Sequence, residues 1–125
     1  MAERPDIFLD GAHNPAGARA LAAYIRRFHA GRRIWLVYGA MRDKAVAEMA
    51  GILAPVAEEV ILTAPAGVRA VRPQVLAQLF DHPRTRAAAS LSEALALARE
   101  APPAAAVFIT GSLFLVGEAR ARLVG

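Results

Sequence analysis

The residues with the types to do chemistry gather near the start of the chain. Asp10, His13 and Asn14 follow the apolar run Ile7-Phe8-Leu9, with Gly11 and Ala12 between the carboxylate and the imidazole. The spacing reads as a buried strand that delivers Asp10 to its carboxyl end, then a tight turn, then a helix. Asn14 can cap that helix, and Pro15 suits its first turn, where a missing N–H costs nothing. A carboxylate, an imidazole and the N–H groups of a helix start are what α/β proteins turn toward a nucleotide or an anionic substrate. Each has a plainer reading too. Asp10 can accept N–H bonds from its own turn, His13 can be a turn histidine, and Asn14 is most economically a cap.

Other polar residues fall at similar places. Gly111-Ser112 closes the apolar run Ala105 to Thr110, and Ser112 is a natural cap for the helix that follows. Asp43-Lys44 reads as a helix-start pair. Lys44 is the only lysine in an arginine-rich chain, and its compact ammonium suits a phosphate or a carboxylate as a point charge. Arg69, in Gly67-Val68-Arg69-Ala70, has no assigned role. His29 and His82 fall at ends expected to be exposed.

These positions need elements to hold them, and the chain alternates strand and helix. Ala18, Leu21, Ala22, Ile25 and Phe28 recur at helical spacing, with Arg19, Arg26 and Arg27 off that stripe. Gly31 ends the helix. Arg33 to Tyr38 is a continuous apolar strand, as expected where both sheet faces are covered. Val46, Met49, Ala50 and Leu53 mark a second helix, stopped by Pro55. Glu59 to Thr63 is a third strand, and Pro73 opens a third helix through Val75, Leu76 and Leu79. After a turn at Asp81-His82-Pro83, Arg84 to Ala89 reads as a short strand. Ser90 or Ser92 caps a helix carrying Leu91, Ala94, Leu95 and Ala98, which Pro102-Pro103 ends. Ala105 to Thr110 is the last strand before a terminal helix.

This alternation predicts one doubly wound α/β domain over residues 1–125, with a mostly parallel sheet of five to six strands and helices on both faces. Such sheets bind ligands beyond the carboxyl ends of their strands. The informative loops are therefore 10–14, 39–44, 64–72 and 110–112, where the polar residues gather.

Composition sets the outer bounds. The chain has 125 residues, 56% of them hydrophobic, with a mean hydropathy of +0.34, too apolar for disorder. Cysteine is absent, which excludes disulfides and thiol chemistry and fits a reducing cytoplasm. No apolar run approaches the ~20 residues of a membrane span. The net charge of +4 comes from arginines scattered over helix faces with few aromatics, so neither a basic stripe nor a stacking platform for nucleic acid is expected. There is no G-x-x-x-x-G-K-[ST] loop, no second acidic residue spaced with Asp10 for magnesium, and no histidine pair spaced for zinc.

The wording of three blocks is more specific than their spacing. Leu9-Asp10-Gly11-Ala12-His13-Asn14-Pro15 resembles the opening of the C-terminal domain of folylpolyglutamate and dihydrofolate synthases, members of the Mur ligase superfamily. Tyr38-Gly39-Ala40-Met41-Arg42-Asp43-Lys44 and Thr110-Gly111-Ser112-Leu113-Phe114-Leu115-Val116-Gly117-Glu118 match in the right order. One departure stands out: the family usually continues Asp-Lys-Asp, whereas Ala45 follows Lys44 here, so no role carries over to that position.

The resemblance implies a Rossmann-like Mur ligase C-terminal domain that serves ATP-dependent amide formation. In that chemistry a pteroate or folate carboxylate is phosphorylated by ATP, and the amine of L-glutamate attacks the acyl phosphate. Asp10 and His13 are then expected to contact ATP, Ser112 and His13 the glutamate, and Lys44 a phosphate or carboxylate. No residue is assigned as catalytic. The P-loop, the magnesium ligands and the folate or dihydropteroate cleft are expected in an N-terminal ATPase domain outside this chain, and the isolated chain is expected to be inactive. The alternatives are a stand-alone nucleotide- or amino-acid-binding module, or the C-terminal domain of another Mur-type ligase. Folylpolyglutamate and dihydrofolate synthase activities are not distinguished by these residues.

Overall fold

The computed structural model describes residues 5–41, 45–67 and 69–124. Five strands form one sheet: β1 (Asp6–Leu9), β2 (Ile34–Tyr38), β3 (Glu59–Leu62), β4 (Thr85–Ala87) and β5 (Ala106–Thr110). Their order across the sheet is β1-β5-β2-β3-β4, and every pairing is parallel. The helices are α1 (Pro15–Phe28), α2 (Val46–Leu53), α3 (Pro73–Leu79), α4 (Leu91–Ala98) and α5 (Leu113–Val124), with a 3-10 turn at Ala54–Val56. The doubly wound sheet expected from the alternation is the one observed.

Helices divide between the two faces. Leu21 and Ile25 of α1, Met49 and Leu53 of α2 and Leu76 of α3 pack on Leu36, Tyr38, Leu62 and Phe108. On the other face, Leu91 and Leu95 of α4 and Leu115 of α5 pack on Val37, Ile61, Val107 and Ile109. Alternate residues of β2 and β5 therefore face opposite layers, and both strands are buried throughout. Burying one such Leu or Ile side chain stabilises the fold by roughly 1.5–3 kcal/mol.

The caps follow local sequence. Asn14 Oδ1 accepts the Gly17 N–H at 2.8 Å, and Pro15 opens α1. Ser90, rather than Ser92, caps α4: its Oγ accepts the Glu93 N–H at 3.2 Å. Glu93 reaches back to the Ala89 N–H, also at 3.2 Å, so the two ends of the turn satisfy each other.

Five expectations need correction. The first strand is only half-buried, not buried, because β1 lies at the sheet edge. Phe28 is 61% exposed; ten residues after Ala18 it stands about 80° from that residue around the helix, at the edge of the stripe. His29 takes the inward place. It is buried, with its ring 5.0 Å from Phe8 and 5.3 Å from Phe108, both edge-on. In α3 it is Phe80, one residue past the helix, that fills the core, while Leu79 faces solvent. His82 is half-buried and its Nε2 lies 2.7 Å from the Ala57 carbonyl.

Candidate functional site

Strand β5 lies between β1 and β2, yet its helix crosses to the other face. The chain leaves β1 and β2 toward the α1–α2 layer and leaves β5 toward the α4–α5 layer. The connections part there, and the crevice they leave is where doubly wound sheets take ligands.

Backbone bonds pin the rim of that crevice. The Ala12 carbonyl accepts the Gly111 N–H at 3.0 Å and the Thr110 hydroxyl at 3.4 Å. Gly39 N–H donates to the Thr110 carbonyl at 3.3 Å, and Val71 N–H to the Ala40 carbonyl at 2.9 Å. A short antiparallel bridge joins Met41 to Ala70. Gly111 sits at φ +105°, and a Cβ there would run into the Gly39 carbonyl and the Tyr38 ring. Only glycine fits this approach. Tyr38 floors the junction, its hydroxyl 3.5 Å from Met49 Sδ, and burial raises its pKa.

Asp10 follows β1, and its Oδ1 accepts the Ala12 N–H at 2.9 Å, the turn role read from sequence. His13 Nδ1 lies 2.9 Å from the Gly11 carbonyl. A carbonyl only accepts, so Nδ1 carries the proton and Nε2 of the neutral ring is left as an acceptor. Capping by Asn14 and the absence of an N–H at Pro15 leave Ala16 as the first-turn donor without an intrahelical partner.

Ser112 is buried, and its Oγ accepts the Phe114 N–H at 3.1 Å and the Leu115 N–H at 3.4 Å. The hydroxyl oxygen is thus committed to the cap, and its hydrogen is the group it still has to give. A small cavity of about 80 Å³ joins His13 and Met41 to Gly111, Ser112, Leu113 and Phe114. A larger open groove of about 390 Å³ runs from Asp10 past His13 along α1. His13 borders both.

The structure therefore brings Asp10, His13 and Ser112 to one rim. Lys44 and Asp43 lie outside the described residues, and Arg69 is exposed on the loop after β3. Sequence reading gave no role to Glu118, whose Oε1 accepts the Ala66 N–H at 2.9 Å and ties that loop to α5. The i,i+4 spacing of Glu118 and Arg122, 3.4 Å apart, marks a helix pair and hides the loop contact. Among the described residues, no three of His, Cys, Asp or Glu are grouped to hold a metal ion, and no helix is long and apolar enough to cross a membrane.

Comparisons with known proteins converge. The chain is 37% identical over 125 residues to a probable bifunctional folylpolyglutamate synthase/dihydropteroate synthase of Haloferax volcanii, across 96% of this chain and 15% of that protein. It is 32% identical to the dihydrofolate synthase/folylpolyglutamate synthase of Mycobacterium tuberculosis, across 96% of this chain and 28% of that protein. The crystal structure of Mycobacterium tuberculosis folylpolyglutamate synthase complexed with ADP and AMPPCP superposes with a TM-score of 0.85 at 31% identity, over 93% of this chain and 29% of that one. The chain thus spans less than a third of these relatives. The family model described as Mur ligase, glutamate ligase domain, matches residues 2–113. On that match, and with a doubly wound fold to go with it, the chain belongs to the glutamate ligase domain family of the Mur ligases.

Proposed function

We propose that this domain is the C-terminal part of an ATP-dependent folylpolyglutamate or dihydrofolate synthase. The observation that carries the reading is the rim where Asp10, His13 and Ser112 meet beyond β1 and β5, in a chain whose relatives bear those names. In this reading a folate or dihydropteroate carboxylate oxygen attacks the γ-phosphorus of ATP and ADP leaves. The amine of L-glutamate then attacks the acyl carbon, phosphate leaves, and the nitrogen gives up a proton to complete the amide.

The domain's own residues bind and orient. Asp10 has a carboxylate oxygen beyond the one used in its turn, and an acceptor-only group suits a ribose hydroxyl. His13 offers Nε2 between the groove and the small cavity, within reach of both ATP and glutamate. Ser112 offers a hydroxyl hydrogen at the positive end of α5, whose dipole favours a carboxylate. Lys44 supplies a cation for phosphate or carboxylate. The nucleotide's triphosphate and its Mg²⁺ belong to a P-loop ATPase domain preceding this one, which also holds the pterin. Closure of the two domains excludes water from the acyl phosphate, which would otherwise hydrolyse.

The test is a chimera in which this chain replaces the matching region of the Mycobacterium tuberculosis relative. Glutamate-dependent ADP formation is expected, whereas the chain alone gives none. Asp10→Asn should lower kcat/KM for ATP about ten- to a hundredfold, the loss of a hydrogen bond to a charged group worth roughly 1.5–3 kcal/mol. Turnover by the isolated chain, or unchanged ATP kinetics in the Asp10→Asn chimera, would overturn the reading.

A further inference from the structure

Helix α5 meets two loops in succession as it leaves Ser112. Leu115 is buried beneath the loop after β2: a Cβ on Gly39 would touch Leu115 Cδ2 and the Thr63 carbonyl. Glu118 follows three residues later, on the same face of the helix. Its side chain is only 20% exposed, and its Oε1 accepts the Ala66 N–H at 2.9 Å in the loop after β3. Oε2 lies 3.4 Å from Arg122 Nε, in a pair whose arginine is half-exposed and which contributes little. The stronger commitment of the carboxylate is to the backbone.

That bond has a place in the frame of the crevice. Among the described residues, it is the hydrogen bond that joins residues 64–67 to a helix. Ala66 and Gly67 are exposed, and Gly67 turns the chain at φ +71°, so packing alone does little to fix this turn. Further along the same loop, Val71 N–H donates to the Ala40 carbonyl at 2.9 Å, and Ala70 bridges to Met41. Met41 in turn lines the small cavity with His13 and Ser112. A continuous path therefore runs from α5 through Glu118 to Ala66, along the loop to Ala70, and across to Met41. Ser112 stands at one end of this path and Met41 at the other, both on the wall of one cavity.

We propose that Glu118 is a positioning residue for the glutamate site: it latches the loop after β3 to α5 and so holds the Met41 wall in place against Ser112. The proposal rests on the ligase reading above and adds to it a residue that touches no substrate.

The test has two arms. Amide hydrogen exchange on the ¹⁵N-labelled 125-residue chain reads the latch itself, and a dispersed spectrum for each variant shows that it is folded. Glu118→Ala should speed exchange at Ala66 about tenfold or more, the loss of a hydrogen bond to a charged group. Glu118→Gln keeps a carbonyl acceptor and should retain most of the protection. In the chimera, Glu118→Ala should raise the glutamate KM about fivefold or more, as displaced binding groups do, and leave the ATP KM unchanged. Glu118→Gln should restore the glutamate KM, and Arg122→Ala should match the parent in both arms. The positioning role is overturned if Glu118→Ala leaves the glutamate KM unmoved, if both KM values rise together, or if Arg122→Ala has the same effect. An Ala66 amide that exchanges equally fast in the parent and in Glu118→Ala refutes the latch. If the parent chimera forms no ADP with glutamate, the ligase reading falls and the positioning role with it, while the exchange arm still decides whether Glu118 holds the loop.

Discussion

Gly111 donates its N–H to the carbonyl of Ala12 at 3.0 Å, across 99 residues of sequence. This bond joins the two connections that part toward opposite faces of the sheet, so the crevice opens from a fixed hinge line. Asp10 and His13 belong to one side of that junction and Ser112 to the other. Their relative placement depends on the close approach of Gly111 to the ends of β1 and β2.

Gly111→Ala should therefore be among the most damaging small substitutions. The residue has φ +105°, and an added Cβ would meet the Gly39 carbonyl and the Tyr38 ring, neither of which can swing away. Positive φ at a non-glycine residue costs on the order of 1–3 kcal/mol by itself, and the backbone collision adds to that. Gly31 provides the control. Its φ is +85° and nothing lies within 4 Å of the Cβ position, so Gly31→Ala should cost about 1 kcal/mol. Urea unfolding of both variants checks the order; equal losses would mean that the junction yields.

Ser112→Ala separates two roles. The Oγ receives two N–H groups at the start of α5, so its loss should cost ~1 kcal/mol through the missing cap. In the chimera, loss of the hydroxyl hydrogen should also raise the glutamate KM and spare the ATP KM. Reduced stability with a normal glutamate KM would leave Ser112 as a cap only.

The elements that these residues depend on were legible where the cause is local. Asn14-Pro15 and Ser90 announce helix starts because a side-chain oxygen two or three residues ahead of an N–H acts within one turn. The apolar runs of β2 and β5 announce strands covered on both faces. What was not legible comes from long range. The insertion of β5 between β1 and β2 pairs Asp6 with Ala106, and no local pattern encodes that choice. The same edge position leaves β1 half-covered and makes room for His29, so Phe28 and His29 exchange their expected places. The groove along α1 likewise exists only once that helix lies against the edge. Asp10, His13 and Ser112 stood out through the wording of their motifs, which spacing alone would have left as turn and cap residues.

The opposite end of the sheet carries an ion cluster with an asymmetric cost. Glu59 is buried and pairs with Arg84, and Arg86 lies 3.9 Å from its other oxygen. Arg84 is largely exposed. Glu59→Gln lets the arginines return their charge to water and should cost about 1 kcal/mol, in the range of an ordinary hydrogen bond. The double replacement Arg84→Ala and Arg86→Ala leaves a carboxylate buried without its cations, a loss on the order of 3–5 kcal/mol when nothing relaxes. Denaturant midpoints should rank the pair of arginines well above the glutamate. The reverse order would show that Glu59 reaches solvent.

Tyr38 sets the alkaline limit. Burial raises its pKa in the folded chain above the ordinary value of about 10. Below pH 10 the phenol is protonated in both states, and its contribution to stability is fully present. As pH rises past 10, the unfolded chain releases this proton while the folded chain keeps it. The unfolded state then binds fewer protons, and stability falls with pH, by at most about 1.4 kcal/mol per pH unit from this one group. Tyr38→Phe removes the titration. It also removes the weak contact to Met49 Sδ at 3.5 Å, so the variant should be close to the parent at neutral pH. Urea unfolding from pH 8 to 11 should then show a steeper alkaline decline for the parent than for Tyr38→Phe. Parallel curves would mean that the phenolate is accommodated in the fold and that Tyr38 is not sealed beneath Gly111.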